Sequence, residues 1–171
     1  MGPTPPLLLP GPRVRDALPG DGPTIVEFNA CLARETEGKA LDPAVLARGV
    51  GAALADPDRR LRYWVAELEP GGPVVGQAAI SREWSDWRDG WLWWFQSVYV
   101  HPEARGRGVF RALHGHVRDL AHASADVIGL RLYVEDANER AHQVYQALGM
   151  RPGGYHVYEE LWIPRRPLAA P

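Results

Sequence analysis

Residues 97–122, SVYVHPEARGRGVFRALHGHVRDLAH, decide the fold of this chain. A short apolar strand leads into a turn and an Arg/Gly-rich loop, and a helix with apolar residues at helical spacing follows. Gly106 and Gly108 leave the backbone free to curl and let a ligand approach closely. The amide groups at the start of the helix, its dipole and the basic residues Arg105, Arg107 and Arg111 together favour an anion such as phosphate or pyrophosphate.

Of three other interpretations of this loop, two lack a residue that they require and one stays open. A P-loop needs Lys followed by Ser or Thr after the last glycine, where this chain has Val109 and Phe110. A dinucleotide-binding loop needs a third glycine, and Arg111 occupies that place. A tight turn with solvated arginines remains an open alternative for the loop taken alone.

Two motifs together identify a family. Residues 105–109, after the strand ending SVYVHPE, resemble motif A of the GCN5-related N-acetyltransferase (GNAT) superfamily, Gln/Arg-x-x-Gly-x-Gly/Ala, with Phe110 in the last position. Motif B of the same family, Asn-x-x-Ala-x-x-x-Tyr-x-x-x-Gly-Phe/Met, is matched at Asn138, Ala141, Tyr145, Gly149 and Met150. The chain is therefore identified as a member of this superfamily, with a resemblance that covers residues 60–162 well.

The resemblance and the hydrophobic periodicity predict one α/β domain over residues 13–163, between tails at 1–12 and 164–171. Its centre is a GNAT-like mixed, mostly antiparallel sheet of six to seven strands, with helices on both faces and a splayed central parallel pair. Helices are predicted from Pro23, after the N-cap Asp42, after the glycine loop and over 138–148. Strands are predicted over residues 13–17, 61–68, 74–81, 91–100, 128–134 and 155–163.

Composition limits the classes of partner. The net charge is −2, which does not favour broad binding to nucleic acid or to a membrane surface. Cys31 is the one cysteine and has no partner for an internal disulfide, and no apolar run is long enough to span a bilayer. We expect a cytoplasmic protein. His114 and His116 point to different faces of a helix, so no metal is expected.

The resemblance implies roles for the motif residues. Backbone amides of the loop would hold the pyrophosphate of acetyl-CoA, with charge from Arg105 or Arg111, and the strand 96–100 would bind the pantetheine and the thioester carbonyl. Tyr145 would protonate the leaving thiolate, because a phenol with a pKa of about 10 arrives protonated. The expected cofactor-binding residues are Val98, Tyr99, Val100, Arg105, Gly106, Arg107, Gly108, Val109, Phe110, Arg111, Asn138 and Tyr145.

The general base and the acceptor site are less constrained. Trp94 and Gln96 stand on the central strand where many relatives place Glu or His. Either a remote carboxylate acts through water, with Glu83 as the first choice and Asp86, Glu35 and Glu37 as the other candidates, or the amine arrives neutral. The tryptophan-rich stretch predicts an acceptor pocket with aromatic walls, suited to a cationic amine, although core packing or a homodimer contact would also use tryptophans. The expected substrate residues are Glu35, Glu37, Trp84, Trp94 and Gln96, with Asp86, Trp87 and Trp93 as further candidates.

The function implied is an N-acetyltransferase that moves acetyl from acetyl-CoA directly to a primary amine of a small molecule or peptide. Two alternatives stay open. One is transfer of a longer acyl group or transfer to another nucleophile. The other is an acyl-CoA-binding regulatory module with weak or no turnover, which the absence of an obvious base would allow.

Overall fold

The computed structural model of the chain describes residues 11–162. It divides the chain into two compact units, Met1–Tyr133 and Val134–Pro171, which are described separately. The tail predicted at 164–171 and all but residues 11 and 12 of the tail predicted at 1–12 lie outside the described residues. The single domain over residues 13–163 stays a prediction.

The first unit is built on one five-stranded sheet whose strands lie in chain order from β1 to β5. The first four strands form antiparallel pairs with one another, and the fifth strand runs parallel to the fourth. The parallel pair needs a crossover, which a helix supplies between β4 and β5. The strands are β1 Arg13–Asp16, β2 Arg62–Glu67, β3 Val74–Ser85, β4 Gly90–Val100 and β5 Val127–Leu132.

Helices cover both faces of this sheet, as predicted. On one face lie α1, Gly22–Glu37, and α2, Pro43–Ala55, and on the other lies α3, Val109–Ala123. The Asp42 carboxylate caps α2 as expected, because it accepts hydrogen bonds from two first-turn amides at 2.8 and 3.0 Å.

Side-chain alternation along the strands produces two separate cores. On β2, Trp64 packs with Leu113 and the rest of the apolar stripe of α3, whereas the next residue, Val65, packs with Ile25 of α1 and Val50 of α2. All five residues are almost completely buried. Full burial of such side chains stabilises the fold by about 1.5–3 kcal/mol each, so both helical layers are fixed to the sheet.

A buried histidine lies in the α3 core. His114 is 2% exposed and stacks on Phe95 at 5.7 Å between ring centroids, with Phe110 at 6.0 Å. Neither ring nitrogen has a hydrogen-bond partner within residues 11–162. Burial, and then the charge of Arg118, lowers the pKa of His114, which favours the neutral ring.

The predicted strand count is wrong, because the described residues form five strands rather than six or seven. Residues 155–162 carry the alternating pattern of a strand, yet they form no ladder and are exposed; Ile163 lies outside the described residues. A hydrophobic pattern becomes a strand only when a partner strand satisfies its backbone groups. In addition, β3 runs four residues further than predicted, because Ser81 to Ser85 continue to pair with β4.

Candidate active site

The glycine loop, residues 105–108, leads into α3, whose first turn has no side-chain cap within residues 11–162. Gly106 and Gly108 have φ of 76° and 81°, in the left-handed region that favours glycine, and Gly108 is the N-cap of α3. Among the described residues no side chain caps this helix. The first bond within the helix runs from the amide of Ala112 to the carbonyl of Gly108 at 2.9 Å. The amides of residues 109–111 therefore precede the helical ladder and belong to the positive end of its dipole, an arrangement suited to an anion.

The three loop arginines differ in their surroundings. Arg107 and Arg111 are exposed, and no carboxylate of the described residues pairs with them. Arg105, in contrast, donates from Nε to the carbonyl of Val100 at 3.0 Å and from Nη2 to Glu35 at 2.5 Å. Its guanidinium also lies 5.6 Å from the ring centre of Tyr99. Arg105 thus fastens the loop to β4 and to the end of α1.

Glu35 is held by two donors. Its Oε1 accepts a hydrogen bond from the Tyr99 hydroxyl at 2.8 Å, and its Oε2 accepts one from Nη2 of Arg105. Partial burial raises the pKa of Glu35, but the bonds from Tyr99 and Arg105 outweigh that effect and leave the pKa below its usual value. Burial and the neighbouring carboxylate raise the pKa of Tyr99. A carboxylate with a lowered pKa and both oxygens occupied is a poor general base.

The parallel pair of β4 and β5 lies at the edge of the described sheet and not at its centre as predicted, and its pairing stops before the end of β4. Within residues 11–162, β5 pairs with β4 only from Trp91 to Phe95, so the end of β4 has a partner on one side alone. Paired residues of an antiparallel ladder alternate between hydrogen-bonded and non-hydrogen-bonded positions. The amide of His101 bonds to the carbonyl of Val75 at 2.9 Å, one position past the Val100–Gly76 pair. By alternation, the amides of Val98 and Val100 point away from β3 into the gap.

Glu83 and Trp94 meet on the face of the sheet that carries α1 and α2. Trp93 and Phe95 pack with the α3 core, so Trp94 between them faces the opposite way. The indole Nε1 of Trp94 donates to Oε2 of Glu83 at 2.5 Å, and Arg131 donates to Oε1 at 3.2 Å. Both oxygens of this candidate base are therefore occupied as well.

Two further residues, Arg131 and Tyr133, join this cluster, and sequence reasoning did not single them out for the site. The Arg131 guanidinium lies 5.3 Å from the ring centre of Trp94, and the ring of Tyr133 packs on the same indole at 4.6 Å. Gln96 donates to Ser81 at 2.7 Å on the neighbouring strand. The signal available was the alternation along residues 128–134, which places 131 and 133 on one face.

The predicted aromatic pocket does not form as a unit. Trp84 pairs with Trp91 and packs edge-to-face on it at 5.1 Å, on the α3 side, whereas Trp94 faces α1 and α2. Alternation along β4 separates the two, because Trp91 and Trp94 are three positions apart and an odd separation places side chains on opposite faces. Trp87 is 85% exposed at the β3–β4 turn, and Glu37 forms an exposed ion pair with Lys39.

The second unit contains α4, Glu139–Ala147. The side chain of Asn138 caps it by accepting the amide of Ala141 at 3.0 Å. Burial raises the pKa of the half-buried Tyr145, which keeps the phenol protonated. Gly149, with φ of 85°, ends the helix as predicted, and the amide of Met150 bonds back to the carbonyl of Tyr145 at 3.0 Å.

Between residues 11 and 162, no three His, Cys, Asp or Glu side chains are grouped so that they could hold a metal ion. Over the same residues, no helix has the length and apolar composition that crossing a bilayer requires.

Comparisons with known proteins agree with these features. The sequence model of the acetyltransferase (GNAT) family matches residues 32–150. The solved structure of a possible acetyltransferase from Clostridium difficile 630 is 40% identical with a TM-score of 0.82, covering 90% of this chain and 99% of that one. An integron cassette protein from the mobile metagenome of Cole Harbour Salt Marsh is 25% identical with a TM-score of 0.73, covering 88% and 91%.

A curated relative matches over a shorter stretch. The thialysine N-epsilon-acetyltransferase of Bos taurus is 38% identical over 95 residues, which is 53% of this chain. The match covers 55% of that relative, so the chain spans about half the length of the curated relative it matches.

Proposed function

The chain belongs to the acetyltransferase (GNAT) family, and from that premise we propose that it transfers acetyl from acetyl-CoA directly to a primary amine, with no covalent enzyme intermediate. One observation carries the proposal: within residues 11–162, an uncapped helix start with two unpaired arginines lies directly after a strand whose last residues are paired on one side alone. The first feature suits a pyrophosphate, and the second exposes backbone amides to a thioester.

The loop is the proposed pyrophosphate site. Amides of residues 106–111 would donate to the phosphate oxygens, with charge-assisted bonds from Arg107 and Arg111. Arg105 contributes differently from the sequence expectation. Because its guanidinium is bound to Glu35 and to the carbonyl of Val100, we assign it the role of holding the loop in place rather than neutralising phosphate.

The end of β4 that β5 does not pair, residues 96–100, is the proposed thioester site. The amides of Val98 and Val100, which flank Tyr99, would bind the pantetheine chain and polarise the acetyl carbonyl. Fixed donors of this kind typically lower a barrier by about 3–4 kcal/mol when they match the developing oxyanion. The amine nitrogen attacks the carbonyl carbon, the carbon–sulfur bond breaks, and the sulfur takes a proton from the Tyr145 hydroxyl, which regains one from water before the next turnover. The raised pKa of Tyr145, which keeps the phenol protonated, and its match to motif B support this role, and the same motif gives Asn138 its expected role in binding the pantetheine arm.

No dedicated base is proposed. Glu35 and Glu83 are the two candidate bases that are hydrogen-bonded to side chains of β4. Each oxygen of both carboxylates is hydrogen-bonded to a group of this chain. The amine therefore reacts from its neutral fraction and releases its proton to water. Glu83 instead orients Trp94 and Arg131.

The test measures free CoA released from acetyl-CoA with a panel of primary amines. Reversal of both Arg107 and Arg111 to Glu should raise the Kd for CoA at least tenfold, whereas Arg59→Glu, an exposed arginine away from the loop, should leave it unchanged. Tight CoA binding without release on any amine would instead favour an acyl-CoA-binding regulatory module. Unchanged affinity in the double reversal would refute the pyrophosphate assignment.

A further inference from the structure

Arg131 has more donors than partners. It lies on β5 directly opposite Trp94 on β4, with its guanidinium over the indole ring, and its Nη1 donates to Glu83. A guanidinium carries five N–H donors, and among the described residues Glu83 is the one group to which Arg131 is hydrogen-bonded. Its side chain is 31% exposed. The remaining donors of Arg131 are accessible from outside the protein.

Glu83, in contrast, has both of its carboxylate oxygens hydrogen-bonded. One of its oxygens accepts from Trp94 and the other from Arg131. A cationic ligand that approached this cluster would find the carboxylate already bonded, while an anionic ligand would find open N–H groups. The cluster formed by Glu83, Trp94, Arg131 and Tyr133 therefore favours a negatively charged group, and a carboxylate matches the planar fork of arginine.

The cluster lies next to the proposed thioester site. The pair of Trp94 with Arg131 comes one position before Phe95 and Leu132, the last pair before the strands separate. Trp94 and Val98 are four residues apart, at most about 13 Å at roughly 3.3 Å per residue. A group bound at Arg131 is therefore several bonds away from an amine that reacts at Val98. Tyr133, 57% exposed, and Trp94 provide apolar surface for an aliphatic chain between the two.

We propose that Arg131 binds a carboxylate of the acceptor, and that the acceptor is a free amino acid acetylated on its side-chain amine. Glu83 and Trp94 act as positioning residues that hold the guanidinium plane. This inference rests on the proposed acetyl transfer and narrows its acceptor from any primary amine to one with a carboxylate. It also replaces the expectation of a purely cationic acceptor.

The experiment compares acceptors that differ in the carboxylate alone. Rates with lysine, lysinamide and cadaverine are measured at saturating acetyl-CoA for the natural protein, Arg131→Gln and Arg82→Gln. Arg82 is a matched control, because its guanidinium also lies over a tryptophan ring, Trp91 at 5.5 Å, on the other face of the sheet. Loss of one charge-assisted bond should lower kcat/KM for lysine about 10- to 100-fold in Arg131→Gln, mainly through KM. Lysinamide and cadaverine should change less than threefold, and Arg82→Gln should change no acceptor.

Equal losses on all three acceptors, or no loss on lysine, would overturn the role of Arg131. A calorimetric titration of lysine and lysinamide into the CoA-bound protein separates this inference from the proposed function. If no amine releases CoA, acetyl transfer to these amines is refuted, and the titration still decides the inference. Tighter binding of lysine than lysinamide that Arg131→Gln removes supports the carboxylate site, and equal binding refutes it.

Discussion

The substitution Gly76→Ala tests whether the sheet sets the position of the proposed pyrophosphate site. A Cβ at residue 76 would lie 2.7 Å from Cγ1 of Val109 and 3.1 Å from the carbonyl oxygen of Tyr99. Val109 is the first residue of α3, and Tyr99 lies between the two proposed thioester amides. The added methyl group must therefore displace either the start of the helix or the strand.

We expect a loss of about 1–3 kcal/mol in the free energy of unfolding, the usual cost of an extra methyl group in a packed core. We also expect several-fold weaker CoA binding, because the displaced turn carries the phosphate-binding amides. Urea denaturation and CoA titration measure the two effects. Gly51→Ala is the control: its Cβ has open space within α2, so it should stabilise the protein by about 0.5–1 kcal/mol and leave CoA affinity unchanged.

A double-mutant cycle identifies the contact responsible. Val109→Ala removes the atom at 2.7 Å, at its own cost of about 1.6 kcal/mol for the two lost methyl groups plus a cavity term. The double variant should therefore be more stable than the sum of the single effects predicts, by at least about 0.5 kcal/mol. Strict additivity, or full CoA affinity in Gly76→Ala, would show that α3 is not held against Gly76 in this way.

Three further predictions concern ionisable groups. Tyr145→Phe should lower kcat about 10²- to 10⁴-fold with little change in KM for acetyl-CoA, and a normal rate would refute the general-acid role; Tyr158→Phe, at a 94% exposed position, should retain full activity. Glu35→Gln should cost at most about 1 kcal/mol at pH 7, because both side chains of its ion pair are roughly 40% exposed, and should weaken CoA binding more than Glu37→Gln does. That stability difference should shrink as the pH falls below the ordinary glutamate pKa of about 4.3, and it should vanish once the natural carboxyl, whose pKa is lowered in the fold, also takes up its proton. Because the pKa of His114 is lowered in the fold, the unfolded chain binds the proton first, and stability should fall from about pH 6.5 towards pH 5 by up to about 1.4 kcal/mol per unit. Denaturation midpoints across that range should fall less steeply in His114→Phe, and parallel curves would contradict the assignment.

Local sequence signals were sufficient for most of the fold. Helix caps such as Asp42, the hairpin turns and the apolar stripe of α3 act over a few residues, so the elements they mark occur where predicted. Residues 155–162 show the limit of such signals, since strand formation depends on a partner that the segment's own pattern does not reveal.

The candidate site was predictable to the extent that it is local. The glycine loop, the cap at Asn138 and the order of the two motifs are all contained in short segments. Charge pairing is not local: the partners of Arg105 and Arg131 are Glu35 and Glu83, which are 70 and 48 residues away along the chain. Single-residue reasoning assigned Arg105 to phosphate and Glu83 to base catalysis, and neither assignment could account for a partner that only the fold supplies.

One residue on β4 connects the main features of the site. The register between β3 and β4 shifts so that Ala79 pairs with Ser97 while Ile80 pairs with Phe95, which leaves Gln96 as the extra residue of a bulge. Pairing with β5 ends at Phe95, immediately before that residue. A bulge bends its strand and increases the local twist, which accounts for the end of pairing with β5 at this point.

The bulge also reverses the side-chain alternation of β4, so that each residue after it faces the other side of the sheet. Strict alternation from Trp94 would place Tyr99 on the α3 side, but the extra residue places it against Phe28 of α1, at 5.1 Å, where its hydroxyl reaches Glu35. The cluster that contains Trp94 and the ion pair of Arg105 with Glu35 therefore lie on the same face of the sheet. Gln96 lies between them along β4. Gln96 stood out in the sequence because relatives carry an acid or base there. The structure indicates that its backbone, through the bulge, matters more to the proposed chemistry than its side chain does.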